Sequence, residues 1–286
     1  MTTRTGLDLD PHGLGGVGDT ARWMAASRAR ESRRPDRLFH DPYAEALAGP
    51  DGHLLLTHFH PRHANDDGNP FLPIRHRWFD DYLRECVAPG TQVVGLGAGL
   101  DTRAFRFDWP DGVVLYEVDQ PAVLAYKRQR LTGAQDRCER HEVPVNLGDD
   151  WPDALTGAGF DPARPAVWFV EGVLFYLPEQ LARRVLRDAA RLAAPGSRIG
   201  LDLIGTGIFH FPYMREFLRR LEEADSPWVY GTDDPAAVLR ECGWDDVVVT
   251  EPGWPGANFG RWRPEWSPAG DLPNLPRIFL VRAGRS

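Results

Sequence analysis

Residues 92–103 read Gln92-Val93-Val94-Gly95-Leu96-Gly97-Ala98-Gly99-Leu100-Asp101-Thr102-Arg103. A short apolar run enters a turn with glycine at 95, 97 and 99. Glycine lets the backbone take positive φ and lets a ligand approach with no Cβ in the way. A strand ending on such a turn is how the first βα unit of a doubly wound sheet begins. Taken alone, the pattern also fits an ordinary tight turn of an α/β protein.

The segments on either side favour the sheet. Val113–Val118, His141–Val145, Ala166–Val170, Arg198–Leu203, Val247–Glu251 and Arg277–Ala283 are short runs that read as further strands. Residues 121–132, 178–193 and 235–242 read as helices, and Pro121, Pro178 and Pro235 lie near their starts, where proline is tolerated. Short buried strands alternating with helices predict a doubly wound, mostly parallel seven-stranded sheet. Before the glycine turn the pattern is helical. Residues 1–19 read as a flexible arm and 20–33 as a helix with Asp19 or Thr20 near its N-cap, ended by Pro35. A short helix follows Asp41-Pro42, and 49–70 reads as a loop or weakly ordered lid. Ile74, Trp78, Tyr82, Leu83 and Val87 then recur at helical spacing.

Composition narrows the class. In 286 residues, 42% are hydrophobic and 26% charged, as in an ordered globular chain. The 33 basic against 41 acidic residues give a net charge of −8, which argues against a protein built to hold nucleic acid. Only Lys127 among the basic residues is lysine, which we read as base-composition bias. Cys86, Cys138 and Cys242 are too far apart for a disulfide framework or a zinc site. No apolar run suggests a signal peptide or a membrane span, so a cytoplasmic protein is expected.

Tyr116-Glu117-Val118-Asp119 closes the second strand with an acid, 22 residues beyond Gly97. An acid at that distance is where a ribose is gripped through its hydroxyls. The other reading of Asp119 is a helix N-cap before Pro121. A dinucleotide site wants a third glycine in Gly-x-Gly-x-x-Gly to meet a pyrophosphate. Position 100 here is Leu and position 102 is Thr. S-adenosyl-L-methionine carries ribose, adenine, a sulfonium and an amino-acid end but no phosphate, and suits the pattern better.

The runs QVVGLGAGLDTRAFR, EVD followed by Pro121 and Lys127, EGVLFYL at 171–177 and LGDDWPDAL at 147–155 resemble the leucine carboxyl methyltransferase family. This is a branch of the class I S-adenosylmethionine-dependent O-methyltransferases, with a Rossmann-like fold. TARWMAASRARE, PDRLFHDPYAEAL and IRHRWFDDYL resemble it too, from about residue 18 onward, most weakly at 205–235. The resemblance implies that Gly97 and Gly99 lie under the cofactor and that Asp119 holds the ribose. It implies that Arg75, or alternatively Arg77, pairs with the methionine carboxylate, and that Glu171 lies near the ammonium. Asn146-Leu147 stands where the family has Asp-Leu facing adenine, and an Asn oxygen still accepts. The organisation then expected is one methyltransferase domain over 20–286. It comprises a helical cap (20–90), a cofactor-binding core (91–204), a substrate-cap insertion (205–246) and C-terminal strands with a loop (247–286).

Phe209, Phe211, Tyr213, Phe217, Trp228 and Tyr230 make the insertion aromatic, and Trp254, Phe259, Trp262 and Trp266 follow. They read as cap core or as the wall of an apolar acceptor pocket. His210 and Tyr213 are the candidate catalytic bases there. His53, His58, His60 and His63 suggest metal less than a polar lid, and no metal is expected. The resulting expectation is methyl transfer to a small-molecule acceptor, a carboxylate of polyketide type, with neither nucleic acid nor membrane as partner. A hydroxyl-directed enzyme, a cyclase or isomerase that retains the cofactor, and a non-enzymatic cofactor-binding module are the alternatives.

Overall fold

A computed structural model describes residues 14, 16–59, 70–262 and 275–286. Seven strands form one sheet: β1 (Gln92–Leu96), β2 (Val114–Asp119), β3 (Glu139–Pro144), β4 (Ala166–Val170), β5 (Arg198–Ile204), β6 (Asp245–Thr250) and β7 (Ile278–Gly284). Their order is β3-β2-β1-β4-β5-β7-β6. All neighbours pair in parallel except β7, which is antiparallel to β5 and β6. The doubly wound sheet expected from the sequence is therefore present.

Among the described residues four helices precede it: α1 (Val17–Ser32), α2 (Ala44–Ala48), α3 (Gly52–Phe59) and α4 (Phe71–Cys86). The others are α5 (Arg103–Arg106), α6 (Pro121–Arg130), α7 (Trp151–Gly157), α8 (Glu179–Leu192), α9 (Arg215–Glu223) and α10 (Pro235–Glu241). Strand alternation sorts the core into two layers. Val93, Leu115, Val167 and Phe169 face α1 and α4 through Trp23, Ile74, Phe79 and Tyr82. Val94, Tyr116, Trp168 and Leu201 face α7, α8 and α10 through Trp151, Leu155, Val185, Leu186 and Leu239. Both faces of β1 and β4 are covered, which is why these strands are apolar at nearly every position.

Three boundaries differ from the expectation. Helix α1 starts at Val17 rather than after Asp19, so residues 17–19 are not part of a loose arm. Asp19 lies in its first turn and pairs with Arg22, where an acid complements the helix dipole. The stretch 49–70, expected to be a loop or lid, holds α3, whose Leu55, Leu56 and Phe59 are buried against the N-terminal helices, and its residues 60–69 lie outside the described residues. Its Leu54-Leu55-Leu56 run outweighed the flanking Gly, Pro and Asn. The 205–246 block is not all cap: α10 packs on the sheet, and β6 already begins at Asp245. The rest of the block holds two 3₁₀ turns, Thr206–Phe209 and Pro212–Met214, followed by α9.

Candidate active site

A cavity of about 950 Å³ opens at the C-terminal ends of β1, β2 and β4. Arg75, Gly97, Gly99, Asp119, Asn146, Leu147 and Glu171 all line it. Seven sequence-predicted site residues, scattered over 97 positions, are thus brought to one cavity.

The glycine turn is built for close approach. Gly97 and Gly99 have φ of +65° and +52°, which L side chains rarely adopt. A Cβ on Gly97 would fall 2.5 Å from the Val173 side chain, whereas one on Gly99 would meet nothing nearer than 3.9 Å. The N–H groups of Gly97 and Ala98 both donate to Val118 O, at 2.8 and 3.1 Å. This pins the turn to the end of β2. Asp119 then accepts from Gly99 N at 2.5 Å with one oxygen and from Gln120 N at 2.6 Å with the other. The N-cap of α6 is Gln120, so Asp119 faces the turn rather than capping that helix. Burial pushes the Asp119 carboxyl up, and the two backbone N–H bonds oppose it.

At the other end of the cavity three guanidiniums meet four carboxylates. Arg103 is fully buried and donates to Asp80 at 2.8 Å and Asp101 at 2.6 Å, with Glu171 Oε2 at 2.9 Å. Arg106 donates to both oxygens of Asp80. Burial opposes ionisation of Glu171, but Arg103, His76 and Arg75 outweigh it and hold the carboxyl well below its usual range. Burial and the Arg103 charge together push His76 down. Arg106 can only donate, so its 2.8 Å contact makes His76 Nε2 an acceptor. His76 Nδ1 lies 3.1 Å from both Glu171 Oε1 and Arg103 Nη2.

Arg75 donates through Nη1 to Asp202 at 3.2 Å and through Nη2 to the Met24 sulfur at 3.2 Å. Its Nε is buried without a hydrogen-bond partner, 3.6 Å from Glu171. One edge of the guanidinium thus has an unbonded N–H beside one resting on a weak sulfur acceptor. That edge is the fork that fits a carboxylate. The excess acid beside it suits the ammonium of the same ligand end. Arg77, the alternative, is tied to Asp81 and Leu38 O and does not line the cavity. Asn146 donates to Asp149 at 3.0 Å, leaving its side-chain oxygen to accept.

Phe175, Tyr176, Phe211, Met214, Phe217, Trp228 and Trp262 line the remaining wall. Tyr213 lines it too but is 58% exposed, while His210 is exposed and lies outside the lining. Phe209, Tyr230 and Trp254 are also elsewhere, and Trp266, His60 and His63 fall outside the described residues. Among the described residues no group of three or more His, Cys, Asp or Glu could hold a metal ion. His53 pairs instead with Glu45. Burial raises the thiols of Cys86 and Cys242 and carries Cys138 to about 12, so none is a poised nucleophile.

Sequence reasoning missed Asp80, Asp101, Arg103, His76 and Asp202. Asp202 had a readable signal: it interrupts the apolar run Leu201–Ile204 of β5, and a carboxylate is buried there only with a partner.

Comparison with known proteins identifies the family. The family profile described as "Leucine carboxyl methyltransferase" matches residues 21–190. A chain of Saccharopolyspora erythraea, provisionally named an S-adenosyl-L-methionine-dependent methyltransferase, is 40% identical over 254 residues, covering 81% of this chain and 84% of that one. One of Mycolicibacterium smegmatis with the same provisional name is 39% identical over 251 residues, covering 81% and 84%. A crystal structure from Thermobifida fusca, described provisionally as a methyltransferase, superposes with a TM-score of 0.59 at 18% identity over 98% of each chain, a likeness of fold. The chain is an S-adenosyl-L-methionine-dependent methyltransferase and belongs to the leucine carboxyl methyltransferase family.

Proposed function

We propose that this enzyme methylates the carboxylate of a small, apolar acceptor of polyketide type. The observation that carries the reading is the contrast between the two halves of the cavity. One half is a dense charge network, and the other is an aromatic wall in which no described histidine or carboxylate stands ready as a base. A carboxylate acceptor is already ionised at neutral pH and needs none.

The residues present fit the cofactor. The space over Gly99, the two oxygens of Asp119 and the unbonded Nε of Arg75 suit, in turn, a close backbone approach, a ribose and an amino-acid carboxylate. S-adenosylmethionine, when bound, supplies a methyl on a sulfonium, whose S–C electron pair stays on sulfur as the acceptor oxygen takes the carbon. The chain orients and excludes water. Asp119 and Arg75 fix the two ends, His76 and Arg103 hold Glu171 ionised, and Phe175, Phe217 and Trp228 keep the acceptor side dry. Alignment in a dry site is the main contribution such a protein makes to a displacement of this kind.

The test is incubation with methyl-labelled cofactor and a panel of aromatic polyketide-type carboxylic acids. Label in a base-labile ester supports the reading. Label in a base-stable ether, or no transfer to any acid, overturns it.

A further inference from the structure

In the aromatic half of the cavity, Trp228 Nε1 is buried and has no hydrogen-bond partner. Burying a donor unpaired is costly, so such a group points to a ligand that completes it. The indole is held from several sides. Its ring lies 4.6 Å from Phe175, 5.0 Å from Phe217 at 82°, and 6.3 Å from Tyr176 at 85°. The backbone just beyond it is fixed too, because Val229 N and Tyr230 N both donate to Phe175 O, at 2.8 and 3.3 Å. The N–H is therefore preorganised.

Its position is informative. The Tyr176 hydroxyl lies among Trp228, Thr20 and the charges of Arg75 and Asp202. Trp228 Nε1 is beside that hydroxyl, but the geometry falls short of a hydrogen bond. This corner joins the aromatic wall to the methionine end, where the transferred methyl must lie. Burial raises the Tyr176 phenol, so it stays protonated.

We propose that the Trp228–Tyr176 corner is the acceptor's carboxylate subsite, with Trp228 Nε1 donating to one carboxylate oxygen and the acceptor's flat apolar body lying against Phe175, Phe211 and Phe217. This rests on the carboxyl-methylation reading. A neutral donor suits the task. The described arginines lining the cavity, Arg28 and Arg75, are engaged by Asp41 and Asp202. An ion pair would hold the oxygen's charge, whereas an N–H orients the oxygen and leaves it nucleophilic.

The experiment titrates 2-naphthoate, and separately 2-isopropylnaphthalene, into enzyme saturated with S-adenosylhomocysteine. The second probe has the same shape but no polar atom. Trp228→Phe keeps the ring packing and removes the donor. It should weaken 2-naphthoate about 10- to 100-fold while leaving 2-isopropylnaphthalene and S-adenosylhomocysteine unchanged. Tyr176→Phe, a second variant in case the first fails to fold, should weaken 2-naphthoate less but with the same selectivity. Three results overturn the proposal: no 2-naphthoate binding to wild type, equal losses for both probes, or no loss in either variant. A turnover arm with labelled cofactor separates the two readings. Selective binding without ester formation sinks the carboxyl methylation and keeps the subsite. Ester formation with unchanged binding in both variants does the reverse.

Discussion

Arg75 of α4 and Asp202 of β5, 127 positions apart in the chain, meet behind the cavity wall with Nη1 donating to Oδ2 at 3.2 Å. Asp202 also accepts from Gly172 N at 2.6 Å. One carboxylate thus locks both the guanidinium and the backbone just beyond Glu171. Burial raises Asp202 while the Arg75 charge opposes this, so each residue depends on the other. The buried Nε of Arg75 is left without a hydrogen-bond partner.

Arg75→Lys tests that arrangement. A lysine keeps the charge near Asp202, so the fold should survive. It cannot reproduce the fork. We expect cofactor affinity to fall by about 1.5–3 kcal/mol, the range of a charge-assisted hydrogen bond. Calorimetry with S-adenosylhomocysteine reads it, and an unchanged affinity would remove Arg75 from the carboxylate role.

Asp119 has a second lone pair on each oxygen beyond those used by Gly99 N and Gln120 N. Those are the lone pairs that two ribose hydroxyls would use in the proposed complex. Asp119→Ala should cost about 2–3 kcal/mol of cofactor affinity. Asp119→Asn keeps an acceptor for Gly99 N–H and should lose less. Equal affinities for wild type and both variants would show that the ribose is held elsewhere.

His76 predicts a pH-dependent stability. It is buried, and both burial and Arg103 push its folded pKa below the ordinary value near 6.5, although Glu171 and Asp80 pull upward. As pH falls through about 6.5, the unfolded chain takes up a proton that the folded protein refuses. Stability should then fall by as much as about 1.4 kcal/mol per pH unit until the folded pKa is reached. His76→Asn keeps a donor toward Glu171 and removes this titration. His58 is lowered mainly by burial and adds the same sign to both proteins. Urea midpoints from pH 5 to 7 should show a steeper slope in wild type. Parallel lines would mean that the folded protein leaves the His76 pKa where the unfolded chain has it.

What was legible in the sequence was what strand period and glycine chemistry determine. All seven strands, the turn and Asp119 follow from local pattern, and Arg75, Asn146 and Glu171 follow from a family resemblance. The charge network was illegible for a physical reason. Asp80 and His76 sit one turn apart on α4, Asp101 and Arg103 follow the glycine turn, and Asp202 belongs to β5. Apart from Asp202, whose place inside an apolar strand is itself a signal, each residue looks like solvated surface until the sheet brings them together and burial makes their pairing obligatory. Helix α3 was missed because Gly, Pro and Asn beside it read as loop, while its apolar triplet is too short to show a helical period.

The aromatic insertion raised the question of a general base, and placement bears on it. His210 is exposed and does not line the cavity, while Tyr213 lines it from an exposed position. A proton held by either would be exchanged with water rather than moved within a dry site. If the acceptor is a carboxylate, the nucleophile is ionised well above its usual pKa near 4. Single-turnover rates should then be nearly flat from about pH 6 to 8. His210→Ala and Tyr213→Phe should each lower the rate less than about tenfold, because loss of a true general base costs about 10²–10⁴-fold. The measurement uses whichever acid gives ester in the labelled-methyl assay. A rate rising tenfold per pH unit and collapsing in one variant would require a hydroxyl acceptor and a catalytic base. In that case loop 206–214 would have to close over the acceptor before the chemistry.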